Sequence, residues 1–329
     1  MTGFENTVVV TGASSGIGRA SVAILVQAGW HVFASVRRAE DAAELHKEFG
    51  ARVTPLIMDV TDQATITKAA EQVSAALGDR GIDGLVNVAG IGLMRPVEYV
   101  TDEDLQRIFQ VNVFGQIAVT QAFLPLLRKA RGRIVNIGSV GAHIGLPFGG
   151  LLNASKSALR SLNDALRLEL RSSGVRVSII EPGAIKTPAV DKTLGDVEGV
   201  IRDLPPRGAE EYGASLRTFA QRAYGLESHG SNPKVVAQAV HEALTEVNPK
   251  PRYAAGKHAN ILALVGILVP AVILDVLLLK ALGLPTKRTS DSRWTNGTAP
   301  RRNTRVRCAR CARSEIARDR LRPDESGKH

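Results

Sequence analysis

Cysteine is nearly absent from this sequence, with two in 329 residues, which excludes a secreted fold held together by disulfides. Excess charge is also absent from most of the chain. The formal net charge of +10 would suit a nucleic-acid binder, but from Thr286 onward there are 13 Lys+Arg against 5 Asp+Glu. Residues 1–285 hold 29 basic and 27 acidic groups. The basicity belongs to the tail, and specific nucleic-acid recognition by the body is not expected. No basic start with an apolar stretch of roughly 7–15 residues precedes the first strand candidate, so a cytoplasmic location is expected. No repeat with a period of roughly 20–50 residues occurs, which excludes solenoids and propellers.

The chain does have enough apolar residues for a packed core, at 44%. Apolar, β-branched runs at Thr7–Val10, Val32–Val36, Val53–Met58, Gly84–Asn87, Arg133–Ile137 and Val175–Ile180 read as strands. Helical spacing fills the gaps at Ile17–Ala28, Asp41–Phe49, Gln63–Leu77, Asp102–Arg128 and Leu152–Arg171. Continuous apolar strands alternating with helices predict an α/β fold with a doubly wound parallel sheet, which binds ligands at the carboxyl ends of its strands. Beyond Glu181 the pattern loosens around Pro182, Pro188, Pro205 and Pro206, with helices expected at Ala209–Tyr224 and Pro233–Glu246. Residues 1–257 are therefore read as one domain with a substrate lid at 188–230. An apolar helical segment at 258–285 and a disordered basic tail at 286–329 follow.

The strongest local signal is Thr11-Gly12-Ala13-Ser14-Ser15-Gly16-Ile17-Gly18, between the first strand and its helix. Glycines there admit a pyrophosphate close to the backbone, and free N–H groups with the helix dipole hold its charge. Ser14 and Ser15 add hydroxyl donors. An acid ending the second strand would accept from a ribose 2′-OH and repel a 2′-phosphate. The strand here ends Val36-Arg37-Arg38, and the Arg37 fork suits a phosphate, which favours NADP over NAD.

From about Thr7 to Thr187, and more loosely to about Pro285, these motifs resemble the short-chain dehydrogenase/reductase family, whose hallmark is Thr-Gly-x-x-x-Gly-x-Gly. The resemblance implies a Rossmann fold and a nicotinamide cofactor. It implies that Gly12, Ser14, Ser15, Gly16, Ile17, Gly18, Asp59, Val60, Asn87, Ala89 and Gly90 line the cofactor site, with Asp59 bonding the adenine amino group. It implies the same for Pro182, Gly183, Ile185 and Thr187, the last holding the nicotinamide carboxamide, and it makes Ser139, Asn112 and Lys156 catalytic. Asn87-Val88-Ala89-Gly90 departs from the family's Asn-Asn-Ala-Gly at Val88.

A larger departure is at the family's Tyr-x-x-x-Lys. Counting four back from Lys156, or thirteen on from Ser139, the tyrosine position holds Leu152. Leucine has no proton to give, and loss of a general acid typically costs about 10²–10⁴ in rate. Three readings stay open: a weakened or altered oxidoreductase using Ser139 and a Lys156-bound water, a catalytically silent NADP-binding regulatory protein, or an active enzyme that tolerates the leucine. Tyr253-Ala254-Ala255-Gly256-Lys257 repeats the spacing but follows Pro249-Lys250-Pro251, reads as a short strand and turn, lacks the upstream serine and is set aside as coincidental.

Residues 261–284 are strongly apolar. The uncharged run Ala259–Leu274 has 16 residues, short of the roughly 20 needed to span a bilayer. Asp275 and Lys280 follow it and Pro270 interrupts it. A helical pair broken at Pro270 is expected, covering the substrate pocket, joining a partner subunit in a homo-oligomer, or making a peripheral membrane contact. Each option favours a small hydrophobic substrate, and the resemblance to the steroid- and retinoid-type members of the family points the same way. Cys308-x-x-Cys311 has only His329 nearby, too few ligands for tetrahedral zinc, so no metal is expected.

Overall fold

The computed structural model describes residues 5–286. The expectation of disorder in the tail and the Cys308/Cys311 pair lie outside the described residues. In chain order the elements are β1 (Thr7–Val10), α1 (Gly16–Gln27), β2 (His31–Val36), α2 (Ala39–Phe49), β3 (Val53–Ile57) and α3 (Gln63–Leu77). Next come β4 (Gly84–Asn87), α4 (Asp102–Phe109), α5 (Gly115–Ala130), β5 (Arg133–Ile137), α6 (Gly150–Glu169) and β6 (Arg176–Pro182). The chain continues through α7 (Pro188–Leu194), α8 (Val197–Arg202), α9 (Pro206–Ser228), α10 (Lys234–Thr245), β7 (Arg252–Ala255), α11 (Ala259–Leu268) and α12 (Ala271–Ala281).

The strands form one sheet in the order β3-β2-β1-β4-β5-β6-β7, and every pairing is parallel. The order reverses between β1 and β4, so a crevice opens at their carboxyl ends. Strand alternation sends Val8 and Val10 to one face, against Val22 and Leu25 of α1 and Val236 and Val240 of α10. Val9 goes to the other face with Ile66 and Val73 of α3 and Phe123 and Leu127 of α5. Each such fully buried side chain is worth about 1.5–3 kcal/mol. Both faces are thus covered, as the continuous apolar strands predict. β3 departs from that pattern because it is an edge strand, leaving Ile57 half exposed.

Two further differences from the sequence reading have physical causes. The stretch read as one helix over Asp102–Arg128 contains a π-helical turn at Gln110–Phe114, which separates α4 from α5. Pro182 ends β6 and is followed by two short helices, α7 starting at Pro188 and α8 capped by the Asp196 carboxylate on Gly199 N–H. Proline also opens α9 at Pro206, where its missing N–H costs nothing. The short strand read around Tyr253 is present as β7, pairing with β6 from Ile179↔Arg252 to Pro182↔Ala255. The break expected at Pro270 is present, between α11 and α12. No helix among the described residues is long and apolar enough to cross a membrane.

Candidate active site

The turn after β1 is shaped by its glycines. Gly12 and Gly16 have φ of +64° and +55°, conformations that L side chains rarely adopt. Gly18 is needed for space, since a Cβ there would sit 2.1 Å from Gly12 O. Ser15 precedes α1 in an extended conformation, and its hydroxyl makes no capping bond. The first-turn N–H groups of α1 therefore face the crevice with the positive end of the helix dipole. Thr11 Oγ1 accepts from Val88 N at 2.9 Å and Ala89 N at 3.1 Å, fastening the Asn87–Gly90 loop beside this turn. The Asn87 side chain points inward, donating to Thr120 Oγ1 and Asn136 Oδ1, so this loop presents mainly backbone to the crevice.

At the end of β2 the two arginines differ. Arg38 is committed to Asp41 through two bonds of 3.0 and 2.7 Å. Arg37 is exposed and makes no ion pair among the described residues, leaving its fork available to an anion. Asp59 lies two residues beyond the end of β3, and its Oδ1 accepts from Thr61 N at 2.9 Å and Thr61 Oγ1 at 2.7 Å. Val60 beside it is buried.

The residues implied as catalytic converge at the ends of β4 and β5. Asn112 occupies the π-helical turn, fully buried. Its side chain accepts from Ile91 N at 2.8 Å and donates to Ile91 O at 2.9 Å. π-turns of this kind frequently mark functional sites. Asn112 Nδ2 also reaches Ser155 Oγ at 3.0 Å, and Ser155 Oγ donates to Leu152 O at 2.7 Å. Lys156 is buried and donates from Nζ to Ile137 O at 2.8 Å. Burial lowers its pKa to about 8, because the low-dielectric surroundings penalise the ammonium. A Cβ on Gly90 would lie 3.3 Å from Asn112 Oδ1 and 3.6 Å from Lys156 Nζ, which places all three together.

Ser139 caps the short helical turn after β5, its Oγ accepting from Gly141 N at 3.0 Å. Because that bond uses a lone pair, the hydroxyl proton stays available to a substrate oxygen. Leu152, third residue of α6 and half-buried, stands one turn before Lys156 on the same face. Two polar residues that sequence reasoning missed complete this region, Ser155 and Asn153. Asn153 Nδ2 holds Ile144 O at 2.9 Å, tying the Ser139 loop to α6. Their signal was their place in the run Asn153-Ala154-Ser155-Lys156. Tyr253, by contrast, is buried in β7, donating to Glu246 Oε2 and accepting from Lys250 N, each at 2.9 Å. Its hydroxyl is spent on structure.

Past β6 the chain crosses the crevice. Pro182 ends the strand, and Gly183 passes so close to the next segment that a Cβ would be 2.4 Å from Lys257 O. Ile185 is buried, and its N–H donates to Glu227 Oε2 at 3.1 Å. Burial pushes the Glu227 carboxyl above its ordinary range. A Cβ on Gly16 would touch the Thr187 side chain at 3.4 Å, and one on Gly92 would meet Thr193 Oγ1 at 2.5 Å. So α7 bridges the glycine turn and the segment after Gly90.

Comparison with known proteins bears on this arrangement. The family model for short chain dehydrogenase matches residues 6–197. Retinol dehydrogenase 5 of Mus musculus is 35% identical over 291 residues, covering 86% of this chain and 91% of its own. The 17-beta-hydroxysteroid dehydrogenase type 6 of the same species is 35% identical over 290 residues, covering 86% and 90%. A short chain dehydrogenase from Burkholderia cenocepacia J2315, solved in complex with NADP, superposes with a TM-score of 0.63 at 27% identity, covering 83% of this chain and 97% of its own. With the glycine turn, the buried asparagine–lysine pair and the seven-stranded parallel sheet in one frame, this chain belongs to the short-chain dehydrogenase family.

Proposed function

We propose that this protein is an NADP(H)-dependent oxidoreductase that transfers hydride between the nicotinamide and a hydrophobic, lipid-, steroid- or retinoid-like alcohol or ketone. The observation that carries it is the gathering of Asn112, Ser139 and Lys156 at the strand ends beside a glycine turn shaped for a diphosphate. The relatives named for retinol and 17-beta-hydroxysteroids support the substrate class, and Arg37, with the NADP-bound structure, supports the cofactor.

NADP(H), when bound, supplies or accepts the hydride. The α1 N-terminus and the Gly12–Gly18 turn would hold the diphosphate, and Arg37 would meet the 2′-phosphate. Lys156 remains cationic at neutral pH, since its pKa is about 8, and it meets the nicotinamide ribose and a water. Ser139 keeps its proton and donates its hydroxyl hydrogen bond to the carbonyl oxygen, polarising it, and Asn112 keeps the Gly90–Ile91 backbone in place. With Leu152 where the family has its phenol, the substrate oxygen takes its proton from solvent ordered by Lys156, and turnover is slow.

Leu152 is also the specific observation that favours the second reading, a catalytically silent NADP-binding regulatory protein on the same fold. NADPH oxidation followed at 340 nm with a panel of apolar ketones, beside an NADPH titration, separates the two. Ketone-dependent oxidation supports the oxidoreductase, whereas tight NADPH binding with no turnover on any ketone supports the silent protein.

A further inference from the structure

The strap Gly183–Thr187 borders one half of the crevice. In the sheet order, Arg37 and Asp59 follow β2 and β3 on one side of the glycine turn, while Ser139 and the strap follow β5 and β6 on the other. Gly138 N donates to Ile180 O at 2.7 Å, which sets the end of β6 against the start of the Ser139 turn. At its far end the strap meets the glycine turn, where a Cβ on Gly16 would lie 3.4 Å from the Thr187 side chain. The nicotinamide half of a dinucleotide held at Arg37 and the glycine turn would therefore reach this strap, and the adenosine half would not.

Most of the strap is pinned by backbone bonds. Gly183 N donates to Ala255 O at 2.9 Å, Ser231 N to Ala184 O at 2.9 Å and Lys186 N to Ser231 O at 3.0 Å. Ile185 N, in the middle, donates instead to a side chain, Glu227 Oε2, at 3.1 Å. The Ile185 side chain is buried beside Gly256, whose Cβ would meet Ile185 Cδ1 at 2.5 Å. Removing the acceptor from an N–H so enclosed costs free energy that a shift of the strap would recover.

Glu227 is the next-to-last residue of α9. Gly230 lets the end of that helix approach the strap, since a Cβ there would sit 2.6 Å from Ala184 O. The carboxyl is half-buried, and no cation pairs with it among the described residues. Its side chain serves the Ile185 N–H alone among them. We propose that Glu227 is a positioning residue, whose carboxylate fixes the Ile185 backbone and thereby the strap against which the nicotinamide half of the cofactor binds. The assignment deepens the cofactor part of the proposal above and does not depend on turnover.

Calorimetric titration of the full-length protein with NADPH and with adenosine 2′,5′-bisphosphate, which lacks the nicotinamide half, tests it. Glu227→Ala and Glu227→Met both remove the acceptor, the second keeping the bulk of the side chain. Each should raise the NADPH dissociation constant about tenfold or more. The constant for the bisphosphate should stay within about threefold, because Arg37 and the glycine turn are distant from position 227. Glu227→Gln keeps an oxygen that accepts from Ile185 N–H, and it should hold NADPH within about threefold of the wild type. Thermal melts of the cofactor-free variants show that the body is intact. The assignment is overturned by alanine and methionine variants that bind NADPH like the wild type. It is equally overturned if they lose both ligands to the same extent, or if the glutamine variant is no better than alanine. A wild type that binds neither ligand instead overturns the NADP(H) proposal beneath it.

Discussion

Leu152→Tyr puts a phenol where the chain has an alkyl group, and the structure sets its environment. Position 152 lies in the first turn of α6, where the positive end of the helix dipole favours an anion. The Lys156 ammonium stands one turn on, buried and tethered to Ile137 O. Both lower the pKa of a tyrosine there toward neutrality. Leu152 is only half-buried, so the larger ring has room outward and the cost in stability stays within about 1–1.5 kcal/mol. General acid–base catalysis by a positioned group contributes about 10²–10⁴ in rate. NADPH-dependent reduction of an apolar ketone should therefore rise at least about tenfold in kcat/KM and as much as about 10⁴-fold. The assay is steady-state NADPH oxidation with the wild type and the variant side by side, with an NADPH titration of each. A variant that folds and binds NADPH like the wild type but gains nothing would refute the role assigned to position 152.

Ser139→Ala removes the hydroxyl whose proton is free for the substrate, and ketone reduction should fall about 10²-fold while NADPH affinity stays within a factor of about three. Arg37→Glu replaces the uncommitted fork with a carboxylate, so the NADPH dissociation constant should rise about tenfold or more while that for NADH changes little. Lys156 carries a pH signature. Its folded pKa of about 8 lies below the ordinary 10.5, so the unfolded chain binds more protons between these values. Stability of the cofactor-free protein should therefore rise across that window, from this group by up to about 3 kcal/mol. Lys156→Met should flatten the rise in urea melts taken from pH 7.5 to 10.5.

Much of the fold was legible because parallel strands buried on both faces are written as unbroken apolar runs, as at Thr7–Val10 and Val32–Val36. The glycine turn was legible for a similar reason: only glycine fits at positions 12, 16 and 18. What sequence alone concealed depends on distant partners. The Asn112 side chain in the π-turn is held by Ile91, 21 residues away, which offers it both its N–H and its C=O. The short strand around Tyr253 could be read after Pro251, but its place in the sheet could not, since that depends on the open edge of β6. The break at Pro270 was visible, but which faces of α11 and α12 stay bare was not, since both helices are apolar all round. In the site, Lys156 and Ser139 could be singled out through the family resemblance, whereas the inward turn of Asn87 and the pairing of Arg38 with Asp41 depend on the fold.

Thermal melting with added NADPH tests the central claim most directly, because it asks only whether the Gly12–Gly18 turn receives a dinucleotide. NADPH at about a hundred times its dissociation constant should stabilise the protein by about 2.7 kcal/mol, which raises the melting temperature of a domain this size by about 5 °C. NADH at the same concentration should do less. No shift with either nucleotide, in protein that melts cooperatively, would contradict the account.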